Sequence, residues 1–219
     1  MRIGIVGAGR IGGNCARQFA KGGHEVMLSS RNPQQLEPLA AEIGEAASLG
    51  TPAEAAQFGE VVVFAVPWDG FGDAVASAVK LEGKIVIDTT NQYGDSEMPA
   101  EGQTAASFHA ERVGGANYTK SFNTLTASFQ AETADRPEAD RVVQWVCGDD
   151  VVAKQAVMGL IADAGYAPVD LGRNEDAAVM EAPGRPGAVY GEEYRLPDAE
   201  QVVEAVRAGR EIPPTPSYA

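Results

Sequence analysis

The chain has 219 residues, 44% of them hydrophobic and 22% charged, with a formal net charge of −14. A chain of this length buries roughly 70% of its unfolded surface, enough for a self-sufficient core. The acidic balance repels nucleic acid and anionic membranes, no stretch approaches the ~20 apolar residues of a membrane span, and Met1 leads into "RIGIVGAG" without a signal-peptide profile, so a cytoplasmic protein is expected.

From the start, strand-like and helix-like periods alternate. "RIGIVG" (2–7) reads as a strand, 10–21 as a helix, "HEVMLSS" (24–30) as a second strand, and "PQQLEPLAAEIGE" as a second helix. In "TPAEAAQFG", Thr51 reads as an N-cap with Pro52 at the first helical position. "EVVVFAV" (60–66) is a continuous apolar run, as expected of a strand buried on both faces. A helix over 71–80 leads to the strand "KIVIDTT" (84–90). The rhythm then continues more loosely, with a helix over 104–113, the strands "YTKSFN" and "RVVQWVCG", a helix over 151–164 and the strand "YAPVDLG". The polar segment 126–140 reads as a long loop.

The expected fold is therefore α/β, a doubly wound and mostly parallel Rossmann-type sheet over 1–183. A short irregular extension follows over 184–219, rich in Pro and Gly and carrying a short helix at 199–208. It is read as a cap or as an arm in a homodimer. Cys15 and Cys147 form no spaced set with each other or with His24 and His109. No metal site is expected, and both cysteines read as buried small hydrophobes.

Gly7, Gly9 and Gly12 match G-x-G-x-x-G where the first strand hands over to the first helix. In that context Gly7 makes the tight turn, Gly9 lets a pyrophosphate approach bare backbone, and Gly12 lets helix and strand pack closely. The free N–H groups of the helix N-terminus complete an anion site. Sites for NAD usually place an acid at the end of the second strand; this chain has Ser29, Ser30 and Arg31 instead. That set suits the 2′-phosphate of NADP, which an acid would repel. Ligands in such sheets bind outside the carboxyl ends of the strands, where Trp68 offers a flat wall and Asn91 and Asn123 can hold a carboxamide or a substrate carbonyl. Tyr118 and Lys120 share one face of their strand and are candidates to reach a substrate together, and Tyr190, Tyr194 and Arg195 are candidates to close the pocket.

The glycine loop, "SSRNP", "VVVFAVPWDG", "DTTNQYGD", "KSFNTL" and "VCGDDVVAKQAVMGLIADAGYAPVDLG" together resemble the F420-dependent NADP reductase family, over about residues 1–183. The resemblance implies hydride transfer between NADPH and the deazaflavin coenzyme F420. It implies that Ala8, Arg10 and Ile11 cradle the pyrophosphate, that Val66 and Pro67 lie beside the cofactor, and that Asn91 lies near the nicotinamide. Two departures stand out: no Lys or Arg occurs between Arg31 and Lys80, where the family often has a further basic residue, and the family's apolar C-terminal helices are replaced from Ala182 onward. Two further readings stay open, an NADPH-dependent reductase of a small carbonyl or imine, and a non-catalytic NADP-sensing module. No Tyr-x-x-x-Lys arrangement of the short-chain dehydrogenase kind occurs.

Overall fold

The computed structural model describes residues 1–93, 97–182 and 188–218; the expected boundary at 183/184 lies outside them. Eight strands form one sheet in the order β3-β2-β1-β4-β5-β6-β7-β8. They are β1 (Arg2–Val6), β2 (Glu25–Ser29), β3 (Ala47–Gly50), β4 (Val61–Phe64), β5 (Ile85–Asp88), β6 (Asn117–Ser121), β7 (Val143–Gly148) and β8 (Ala167–Gly172). The first six run parallel; β7 pairs antiparallel with β6 and parallel with β8. The doubly wound, mostly parallel sheet expected from the sequence is thus present.

Helices cover both faces. On one lie α1 (Arg10–Lys21), α2 (Glu37–Ile43), α6 (Ala127–Thr133) and α7 (Val151–Asp163), sealing a core of Ile5, Phe19, Leu28, Val63, Phe122 and Ile161. On the other lie α3 (Pro52–Phe58), α4 (Phe71–Ser77), α5 (Ala105–Ala110) and α8 (Leu196–Arg207), over Phe64, Phe71, Val86, Trp145 and Leu171. All four β4 residues are fully buried because helices cover both sides of that strand. Capping fixes several helix starts. At α3, Thr51 Oγ1 accepts from the Glu54 N–H at 3.2 Å while Glu54 accepts from the Thr51 N–H at 2.7 Å, with Pro52 next.

Two expectations need correction. The stretch before Thr51 contains β3, a four-residue edge strand too short to show a period. Segment 126–140 is no open loop: Thr126 caps α6, whose inward residues Gln130 and Thr133 are polar but bonded, Gln130 Nε2 donating to the Phe122 and Leu125 carbonyls at 3.0 and 3.2 Å. A buried face made of hydrogen-bonding side chains carries no hydrophobic period, although Gln130 Oε1 itself has no partner. Over residues 188–218 the chain packs onto the core, as a cap does. Val202 and Ala199 of α8 are fully buried, Tyr194 packs edge-on to Trp145 at 5.5 Å, and the Val143 N–H donates to the Tyr194 carbonyl at 2.8 Å.

Candidate functional site

The glycine loop has the geometry that its spacing requires. Gly7 has φ +93°, and a Cβ there would lie 2.6 Å from the Ala65 carbonyl oxygen and 2.8 Å from Val66 Cγ1. At Gly12 a Cβ would run into the Gly7 carbonyl and meet Ile5 and Ala65 side chains at 3.1 Å, so glycine permits the close crossing of α1 over β1. Gly9 is the opposite case: no heavy atom lies within 4 Å of an added Cβ. Two of the glycines close the turn, and the third leaves bare backbone facing open space. Gly9 is also the N-cap of the twelve-residue α1, and no side chain caps it, which leaves the first-turn N–H groups of that helix pointing outward. Ala8 is buried, Ile11 half-buried and Arg10 exposed.

Beyond β2 the side chains divide by burial. Ser29 is fully buried and spends its hydroxyl on the Ile5 carbonyl at 2.9 Å, which makes it a support of the turn. Ser30 Oγ accepts from the Asn32 N–H at 3.1 Å and keeps its own proton to donate. Arg31 is exposed and makes no ion pair among the described residues. A cavity of about 590 Å³ opens beside the loop, lined by Gly9, Arg10, Asn14, Gln35 and Leu36 among others. Val66 leans on Gly7, and Pro67 is exposed just after β4.

Trp68 lies elsewhere. It is 3% exposed, its indole N–H donates to the Glu97 carbonyl at 3.1 Å, and its ring stacks on His109 at 4.1 Å. It lines the core rather than an open wall.

At the ends of β5 and β6, Asn91 Nδ2 donates to the Asn123 carbonyl at 2.9 Å, and Asn123 Nδ2 donates to Asn91 Oδ1 at 3.1 Å and to the Met180 carbonyl at 2.7 Å. Asn123 Oδ1, although buried, has no partner. The preceding Phe122 adopts φ +56°, an uncommon conformation for an aromatic residue that redirects the chain as it leaves β6. The rim beside these amides carries Tyr93, 55% exposed, whose hydroxyl donates to that of Tyr190 at 3.3 Å. Tyr190 precedes Gly191, whose N–H bonds the Thr124 carbonyl at 2.8 Å, so the C-terminal segment reaches the ends of these strands. Of the other residues considered there, Tyr194 is buried in the core, and Arg195 pairs with Asp140 at 2.7 Å away from the amide pair.

Tyr118 and Lys120 do share one face of β6, and that face is buried. Lys120, fully buried, donates to the Thr90 carbonyl at 2.8 Å and approaches Asp88 Oδ2 at 3.4 Å; Tyr118 donates to the same oxygen at 2.6 Å. His109 Nδ1 lies 2.9 Å from it and so carries the proton, since a carboxylate only accepts. Burial opposes the Asp88 charge, but Lys120, with hydrogen bonds from His109 and Tyr118, holds the carboxyl well below the usual carboxylate range. Burial first, then Asp88, pushes the Tyr118 phenol well up, so it stays a donor. Asp88 and His109 had no signal as a pair in the sequence, because the register Asp88↔Lys120 and the return of α5 over β5 bring them together.

Among the described residues no three His, Cys, Asp or Glu stand where they could share a metal ion, and no helix is long and apolar enough to cross a membrane.

Comparison with known proteins bears on this geometry. Residues 2–92 match the family described as NADP oxidoreductase, coenzyme F420-dependent. A solved structure of the hypothetical protein SMa0349 from Sinorhizobium meliloti superposes with a TM-score of 0.77 at 29% identity, covering 89% of this chain and 96% of that one. A candidate F420-dependent NADP reductase from Arthrobacter sp. FB24 superposes with a TM-score of 0.68 at 27% identity, covering 81% of this chain and 87% of that one. Metalloreductase STEAP3 of Rattus norvegicus is 29% identical over 182 residues, 83% of this chain and 36% of its own. The chain thus spans about a third of the length of the curated relatives that it matches.

Proposed function

We propose, from a chain whose residues 2–92 match the coenzyme F420-dependent NADP oxidoreductases, that it binds NADP(H) across the strand ends and exchanges hydride with a flat redox partner, coenzyme F420 foremost. The observation that carries the reading is the glycine turn: uncapped helical N–H groups and the open backbone at Gly9 fit a diphosphate that any side chain there would obstruct. Ala8, Arg10 and Ile11 line the diphosphate. Ser30 and Arg31 hold the 2′-phosphate, with no acid beside them to repel it. Val66 and Pro67 flank the cofactor. Asn91 faces the nicotinamide, and the unpartnered Asn123 Oδ1 is an acceptor suited to a carboxamide. When bound, the nicotinamide supplies the hydride; the protein supplies binding, orientation and exclusion of water.

Tyr93 and Tyr190 border the amide pair and are suited to stack a planar ring. The same hydroxyl pair favours a second reading, reduction of a small carbonyl or imine, because burial and Tyr93 push the Tyr190 phenol up to about 12 and keep it a proton donor. In the first reading the partner needs no acid; in the second Tyr190 is required. NADPH oxidation assayed with F420 against a carbonyl and imine panel, in wild type and Tyr190→Phe, tests both. Turnover with F420 that survives the substitution supports the leading reading. Carbonyl turnover that the substitution abolishes supports the second. NADPH binding with no transfer to any acceptor would leave a cofactor-sensing module. A homodimer completed by the C-terminal segment is part of the proposal, and sedimentation measures it.

A further inference from the structure

The carboxylate of Asp88 closes β5 three residues before Asn91. Four groups converge on it: the Thr90 N–H on Oδ1 at 2.7 Å, and Tyr118 (2.6 Å), His109 (2.9 Å) and Lys120 (3.4 Å) on Oδ2. Two of the four return to the turn. Lys120 also donates to the Thr90 carbonyl at 2.8 Å, and Thr90 Oγ1 lies 3.3 Å from His109 Nδ1. Thr90 is thereby held at its N–H, its carbonyl and its side chain, and the next residue is Asn91. The imidazole is itself clamped, stacked on Phe71 at 3.7 Å and 2° and on Trp68 at 4.1 Å and 20°. Two rings that close cannot share one face, so they hold His109 from both sides.

Burying an aspartate and a lysine completely is a poor way to gain stability, because apolar residues of similar volume usually serve as well. What such a cluster does supply is fixed direction. We propose that Asp88 is a positioning residue for the nicotinamide end of the cleft: with His109, Tyr118 and Lys120 it locks the Thr90 turn so that the Asn91 amide stands opposite Asn123. The inference rests on the placement of the nicotinamide beside Asn91. It assigns Lys120 an indirect role, acting through Thr90 rather than on a substrate, and gives Trp68 and Phe71 the task of holding His109.

The test compares two ligands that share the adenosine end. NADPH spans the whole cleft, whereas 2′,5′-ADP lacks the nicotinamide half. Dissociation constants are measured for both, by calorimetry, on wild type, Asp88→Asn and His109→Phe. The second variant keeps the buried ion pair and a flat ring between Phe71 and Trp68, so it should fold if the first does not. The expected result is NADPH affinity lower by about tenfold in Asp88→Asn and less in His109→Phe, the size of one or two lost hydrogen bonds, with 2′,5′-ADP unchanged within about twofold. Equal losses for both ligands, or none, would overturn the positioning role while leaving the nucleotide site intact. Wild type that binds neither ligand would overturn the nucleotide reading itself.

Discussion

Replacing Arg31 by alanine separates the proposed 2′-phosphate contact from every other source of affinity. The side chain is exposed and in no ion pair among the described residues, so its loss costs the free protein little. No second cation follows it: Gln34 and Gln35 occupy the next turn, and no Lys or Arg appears before Lys80. One charge-assisted bond to a phosphate, worth roughly 1.5–3 kcal/mol, predicts that NADPH binds about 10- to 100-fold more weakly. Because the contact faces water, the effect belongs at the lower end and shrinks as salt rises above ~0.1 M. NADH, which lacks the phosphate, should bind the variant within about twofold of wild type. Fluorescence titration of both nucleotides at two salt concentrations measures all of this. Equal losses for NADPH and NADH would refute the assignment and leave Arg31 a solvated residue at the end of a strand.

Four further outcomes follow from the packing. Gly12→Ala forces a Cβ into the Gly7 carbonyl and should lower Tm by roughly 2–12 °C, whereas Gly9→Ala meets open space and should weaken NADPH binding at nearly unchanged Tm. Melting curves with and without NADPH separate the two, and matching behaviour would contradict the loop geometry. Lys120→Met strands the buried Asp88 charge and should cost about 3–5 kcal/mol at neutral pH, read from urea unfolding. Asp88 has a folded-state pKa below its unfolded value of about 3.9, so the unfolded chain takes up the proton first. Its contribution is complete above that pH and fades as the pH falls further; Asp88→Asn should flatten the acid limb of the stability profile, and an unchanged limb would count against the pairing. A chain ending at residue 182 loses Tyr194 and α8 from the core and should give no cooperative thermal transition; wild-type melting would show that the segment is dispensable.

Much of this protein is set by short-range pattern. The apolar run of β4, the Thr51–Pro52 start of α3 and the glycine spacing after β1 each depend on residues within one turn or one strand, so they can be read before anything is folded. The uncapped start of α1 and the acid-free end of β2 belong to the same class. Other features required the assembled sheet. Whether the Tyr118 and Lys120 face points to solvent or to the interior depends on which helices lie over β6. Alternation along the strand is the same in both cases, and α5 with the helical turn Asn174–Met180 decides it by covering that layer. Asp88, His109 and Lys120 are 21 and 32 residues apart and meet only through strand register and a returning helix. The polar inner face of α6 hid a helix, because hydrogen bonds to Phe122 and Leu125 replaced the hydrophobic signal that a sequence displays. Local sterics and capping are encoded where they act, whereas the burial of a charge is settled by whatever the rest of the chain packs against it.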